Sequence, residues 1–502
     1  MKKLILLFVC CSLMSYGQKK KSPSPDPAAA YDEYVQRTMK EWEIPGMAIV
    51  VVKDNKVLFK KGYGVRKINT ADPVDTQTLF TCASTTKAMT ATCLGMLVDE
   101  GKVKWDDPVE DYLPDFQLYD VYASRNLRVR DLLIHNSGVG NTDFLWTEMN
   151  VSSDEVLRKM RYVKPSYPFR GGYTYQNIFF LAAGKVIEKV SGQSWESFIT
   201  ERLFKPLNMI RTKPTLKDVL NDSNLAYPHD KIDGKVALIN RMSADQIGPA
   251  GSVKSCVDDL ANWVQCMIDS SKFGNIRLLK AETWVEIFKP QTILPSLFYP
   301  TMKILKPNWT TYGLGWFQHD YRGEKVNFHT GSLSGEIAIN GQLPSQKLGI
   351  FIIANLDHAE LRHALMYKAF DTFALGGNRD WSAEFKPLYQ SIEAESQQKQ
   401  KELANKRVSG TTPTLPLASF AGTYTDPLYG KVDVTLKNDK LEVNFNGFVH
   451  ATLEHWHYDT FRAWYDAQEE NKQISLLLFD KDPSGTLAGL RIGNQHFIRE
   501  QK

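Results

Sequence analysis

Ser84-Thr85-Thr86-Lys87 sets a hydroxyl and a primary amine three residues apart, and on a helix that spacing puts both on one face. An amine held neutral by burial can take the proton from the hydroxyl, which makes serine an acylating nucleophile. The same spacing recurs at Ser396-Gln397-Gln398-Lys399, in a polar stretch where no chemistry is expected, so it decides nothing alone. Order adds what spacing lacks. Tyr175-Gln176-Asn177 and then His329-Thr330-Gly331 follow Ser84, and Tyr-x-Asn and His-x-Gly each occur once in the chain.

The elements that must position these residues are readable in outline. Gly46 to Gly64 reads as a hairpin, with apolar Met47 to Val52, a turn at Asp54-Asn55 and a return at Lys56 to Phe59. Ser84 opens a helix to about Glu100, stopped by Gly101. Ile178 to Ser191, stopped at Gly192, and Val257 to Met267 read as further helices. Strand text returns at Tyr312 to Phe317, Val326 to His329, Ile337 to Leu343 and Leu348 to Ala354, before a helix from about Leu361 to Leu375. Hairpins at both ends with helices inserted between them predict an α+β domain on an antiparallel β-sheet. Short β runs between Val432 and Ile492, separated by turn residues, predict a small all-β barrel or sandwich after a charged spacer.

At 502 residues the chain exceeds one ordinary core. The expected division is a signal peptide at 1–17, a flexible leader at 18–28, a hydrolase-type domain at 29–377, a helical spacer and linker at 378–415, and the β domain at 416–502. Lys2-Lys3 followed by the apolar run Leu4 to Met14 and small residues before Gln18 is the export signal; the expected location is periplasmic or extracellular, with lipidation at Cys10 or Cys11 the lesser reading. No later run of 18 apolar residues implies a membrane span. A net charge of +4 without a Lys/Arg stripe argues against a nucleic-acid partner. Cys82, Cys93, Cys256 and Cys266 read as buried free thiols.

With Leu132 to Gly138, Pro206 to Met209, Gly251-Ser252 and Gly313 to Trp316 as further landmarks, the three motifs resemble the serine penicillin-recognising superfamily. That group includes class C β-lactamases, low-molecular-mass penicillin-binding proteins, D-aminopeptidases and related esterases. The resemblance covers about residues 30 to 375 and implies the β-lactamase/transpeptidase-like fold. It also implies an acyl-enzyme on Ser84. The oxyanion would be held by the backbone N–H groups of Ser84 and Ser332. Tyr175, as phenolate beside an ammonium, is expected to act as base and then as proton donor, tuned by Lys87. Asn177 would orient Lys87 and the substrate amide.

His329 is the departure. Most penicillin-binding relatives carry Lys there, a fixed cation for a substrate carboxylate, whereas histidine is a weaker, pH-dependent anchor. This makes dedicated antibiotic hydrolysis and strong peptidoglycan carboxypeptidase action unexpected.

The expected function is therefore an exported serine hydrolase cleaving a small amide, short peptide or ester. The alternatives are a carboxylesterase or weak β-lactamase/DD-peptidase on the same machinery, and a non-catalytic envelope binding protein. No metal or organic cofactor is implied. The β domain at the C-terminus resembles the accessory domain of some of these hydrolases and is expected to fold over the cleft and restrict substrate size. His455 and His457, alternate residues on a strand, are read as packing rather than metal ligands.

Overall fold

The computed structural model describes residues 26–501. The export signal, Cys10, Cys11 and most of the leader lie outside the described residues. The leader ends sooner than expected: Asp26 caps the first helix, Pro27–Glu41, by accepting from the Ala28 N–H.

An eight-stranded antiparallel sheet carries the first domain. Its order is Lys56–Gly64, Gly46–Lys53, Leu348–Ala354, Glu336–Leu343, Glu324–Leu333, Phe317–Tyr321, Thr310–Tyr312 and Thr292–Ile293. The chain's first hairpin thus pairs with the last strand, Met47 opposite Ala354. The apolar run in Gly46–Lys53 is buried throughout and serves two cores by simple alternation. Ala48, Val50 and Val52 face the helical insertion, while Met47, Ile49 and Val51 face the terminal helices. Thr86–Asp99, Asn177–Ser191 and Val257–Ile268 cover the first face; Pro27–Glu41 and Leu361–Phe370 cover the second.

Three expectations shift in detail. The expected strand Tyr312 to Phe317 is two strands, because Gly313 to Trp316 forms the turn between them, with Gly315 at φ 81°. The spacer is a 25-residue helix, Trp381–Asn405. Its start belongs to the first domain, since Trp381 and Phe385 are buried in the second core and the Ser382 hydroxyl accepts from the Trp42 indole. Ser396 and Lys399 lie on its exposed part, away from the site. The C-terminal unit is a closed eight-stranded barrel. It includes Gly422–Asp426 and Gln495–Arg499, which were not read as strands, and Val449–His457, the strand that carries His455 and His457.

Among the described residues, no helix is long and apolar enough to cross a membrane, and no cluster of His, Cys, Asp or Glu could hold a metal. His455 gives its Nε2 to the Tyr458 carbonyl, and the His457 Nδ1 accepts from the Val408 N–H. Cys82, Cys93, Cys256 and Cys266 are free and buried, and burial pushes all four thiols up. They fill space.

Candidate active site

The nucleophile segment is held before its helix begins. Thr81 gives its backbone N–H and its hydroxyl to the buried Glu336 carboxylate at 3.0 and 2.5 Å, and the Cys82 N–H donates to the Val253 carbonyl. The Lys254 ammonium donates to the Thr81 hydroxyl from the other side. Between these anchors Ala83 sits at φ 46°, a left-handed conformation that costs a non-glycine residue about 1–2 kcal/mol. A single helical turn, Ala83–Thr85, then delivers Ser84 to the head of Thr86–Asp99. That helix is buried on every side from Thr86 to Leu97, so packing fixes its axis and Lys87 enters the interior.

Lys87 Nζ is surrounded by three oxygens. Ser84 Oγ lies at 3.0 Å, Asn177 Oδ1 at 2.6 Å and the Ala250 carbonyl at 2.9 Å. The orientation of the Asn177 amide is fixed by its far end, where Nδ2 donates at 2.8 Å to Asp143 Oδ1, an acceptor only. Two of the three directions around Nζ therefore end on obligate acceptors, and the third ends on the serine hydroxyl. Burial lowers the Lys87 pKa to about 7, against the opposing pull of Asp143. A neutral amine here directs its lone pair at Ser84.

Tyr175 arrives on the segment before the Asn177–Ser191 helix, its hydroxyl bonded to Ser84 and its ring 4.8 Å from Nζ. Desolvation dominates and raises the phenol well above 10, with the Ser84 hydrogen bond opposing. The expected phenolate is not what this environment favours: the group facing Ser84 is a protonated phenol. His135 packs its ring 4.3 Å from that of Tyr175 and accepts from the Gln176 N–H at 3.1 Å. It sets the position of the tyrosine.

The third motif lies on Glu324–Leu333, and Gly331 is there because nothing larger fits. A Cβ on Gly331 would lie 2.4 Å from the Cys82 carbonyl, 2.9 Å from Ala83 Cβ and 2.9 Å from the Ser84 nitrogen. Gly331→Ala is expected to cost about 1–3 kcal/mol of stability and about a hundredfold in acylation rate, by pushing strand and nucleophile apart. Parallel thermal unfolding and Ser84 labelling kinetics check both figures. The buried Arg362 guanidinium supports the strand from below, donating to the Gly331 carbonyl and to the Ser332 hydroxyl at 2.5 and 2.9 Å, and it is paired with Glu360 at 2.9 Å. Thr330 is tied to the Tyr299 hydroxyl, which brings the 285–310 loop to the site. Ser332 is exposed beside it.

His329 is corrected as an anion anchor. The ring is fully buried, with Nε2 2.9 Å from the Tyr312 hydroxyl and Nδ1 2.6 Å from the Thr330 carbonyl. A carbonyl can only accept, so Nδ1 carries the proton and Nε2 accepts from Tyr312. Burial first, then the nearby positive Lys87, depress its pKa to about 3. The imidazole is neutral and braces the strand.

Sequence reasoning missed Asp143, Glu336 and Arg362, which carry no motif and act through other residues.

Comparison with known proteins accords with this geometry. The Beta-lactamase family matches residues 31–371, and the Domain of unknown function (DUF3471) matches residues 406–501. The chain is 28% identical to "Unguisins hydrolase ungD" of Aspergillus violaceofuscus over 464 residues, covering 86% of this chain and 79% of that protein. The counterpart from Aspergillus campestris is 27% identical over 437 residues, covering 83% and 79%. Among solved structures, the octameric penicillin-binding protein homologue from Pyrococcus abyssi superposes with a TM-score of 0.61 at 22% identity, covering 94% of this chain and 99% of that one. SurE superposes at 0.56 with 19% identity and the same coverage. The two structures share the fold. With the family match spanning well over half its length, the chain belongs to the Beta-lactamase family, as a serine hydrolase with a barrel at its C-terminus.

Proposed function

We propose that the protein hydrolyses a small amide, short peptide or ester through a covalent acyl-enzyme on Ser84. The observation that carries this reading is the closed acceptor set around Lys87 Nζ, which leaves only Ser84 Oγ for its lone pair. In this scheme Lys87 takes the Ser84 proton as Oγ attacks the carbonyl carbon. The backbone N–H groups of Ser84 and Ser332 hold the resulting oxyanion. The carbon–leaving-group bond then breaks, and the departing amine or alkoxide takes a proton from the Tyr175 phenol. Water releases the acyl group by the same steps in reverse roles. In acylation Lys87 is thus the base and Tyr175 the acid, and in deacylation the Tyr175 phenolate takes the water proton while Lys87 returns one to Ser84 Oγ.

A neutral His329 offers no fixed charge for a carboxylate next to the scissile bond, which favours neutral amides and esters over penicillins and free-carboxylate peptides. The fungal relatives named as hydrolases of unguisins support hydrolysis here without fixing the substrate. The Lys2-Lys3 and Leu4 to Met14 pattern at residues 1–17 supports export of the mature chain.

Intact-protein mass spectrometry after exposure to p-nitrophenyl esters and to D- and L-aminoacyl anilides tests the reading. An acyl mass mapped to the peptide holding Ser84 is expected; turnover with the adduct on any other residue would end it.

A further inference from the structure

The barrel does not merely hang from its spacer helix. The turn between its first two strands, Gly422–Asp426 and Gly430–Lys437, reaches out of the barrel into the core beneath the catalytic helices. Leu428 is buried there, and the Tyr429 ring packs with its centroid 4.6 Å from that of Phe144. Asp426 shapes the turn by accepting from the Leu428 and Tyr429 N–H groups. Lys159 donates to the Pro427 carbonyl at 2.7 Å, and Asn446 donates to the Glu148 and Tyr429 carbonyls at 3.3 and 3.2 Å. The fit is close: a Cβ on Gly430 would lie 3.1 Å from Met149 Cε.

The segment pressed by this turn runs from Asp143 to Met149, and its other side is the catalytic site. Asp143 Oδ1 accepts from the Trp146 indole at 2.9 Å and from Asn177 Nδ2 at 2.8 Å. Asn177 Oδ1 in turn faces Lys87 Nζ. Three contacts connect the barrel to the amine. We propose that the barrel is a positioning element for acylation, its 427–430 turn holding Asp143 against Asn177 so that the amide oxygen, and not its NH2, faces Lys87.

The chemistry turns on that orientation. If Asp143 recedes, the Asn177 amide loses the acceptor that tells its two ends apart. A flipped amide offers N–H to the Lys87 lone pair, which is then engaged on Asn177 and not available to Ser84. This inference rests on the acyl-enzyme reading above, and the two fail differently.

The test uses the full-length protein and a fluorophosphonate probe, following Ser84 labelling from pH 5.5 to 9 alongside thermal unfolding. Tyr429→Ala is expected to slow labelling about tenfold or more, the scale on which small misplacements act. Tyr429→Phe keeps the ring and is expected to label within about twofold of wild type. The pH inflection should move down in Tyr429→Ala, because Asp143 is the one charged group raising Lys87, the facing Tyr175, His135 and His329 all being neutral. Asn446→Gly, which keeps the left-handed backbone at φ 53°, gives the same readout should Tyr429→Ala fail to fold. Wild-type rate and inflection in the alanine or glycine variant would overturn the positioning role, as would equal losses in the alanine and phenylalanine variants. Undiminished labelling of Ser84→Ala would instead overturn the acyl-enzyme itself.

Discussion

Ser84→Ala is expected to lower turnover by about three orders of magnitude or more, with no acyl adduct detectable by mass spectrometry. The size follows from what remains. Without Oγ the carbonyl can be attacked only by water, and the oxyanion donors and bound geometry supply a residual rate. Stability should change by less than about 1 kcal/mol, because Ser84 is only partly enclosed and Lys87 Nζ keeps the Asn177 and Ala250 oxygens as partners. Combining it with Lys87→Ala should cost little more than either alone, since the two residues act as one unit. A protein that turned over ester at the wild-type rate without Oγ would rule out the covalent route.

What the sequence made legible, and what it did not, divides along a physical line. The continuous apolar run in Gly46–Lys53 and glycine stops at Gly101 and Gly192 are local signals, and the sheet and helices follow them. The motif residues Ser84, Lys87, Tyr175 and Asn177 meet because the helices that carry them pack together. Protonation is where sequence reading failed. Tyr175 was expected as a phenolate and His329 as a titrating anchor, yet both reside where desolvation outweighs neighbouring charge, and burial depth is a property of the assembled core. Asp143, Glu336 and Arg362 were invisible for a related reason: each acts over a long separation in the chain, on Asn177, Thr81 and Gly331 respectively. In the barrel, the register shift between His455 and His457 breaks the alternation that linear spacing had assumed.

Lys87→Met should nearly abolish acylation while changing stability in a way that depends on pH. The folded protein holds Lys87 near 7, whereas the unfolded chain holds it near the ordinary 10.5. Between those values the unfolded state binds the extra proton, so wild-type stability rises with pH across that window. Below about 7 both states are protonated, and the folded one bears the full cost of a buried charge. Methionine fills similar space and has no proton to bind, so its stability lacks this slope. The difference, variant minus wild type, should therefore be most favourable to the variant at pH 6 and fall by about 4 kcal/mol at most by pH 10. Losing the amine leaves the Asn177 and Ala250 oxygens unpaired, at about 1–3 kcal/mol each, which shifts the whole curve down without altering its slope. Denaturant unfolding of both proteins at pH 6, 8 and 10 reads the slope directly. In wild type the same titration should appear as a rise in acylation rate through about pH 7 to a plateau, as the neutral amine forms. A stability difference that stays flat from pH 6 to 10 would mean Lys87 is charged in the folded protein throughout, and the base for Ser84 would have to be sought elsewhere.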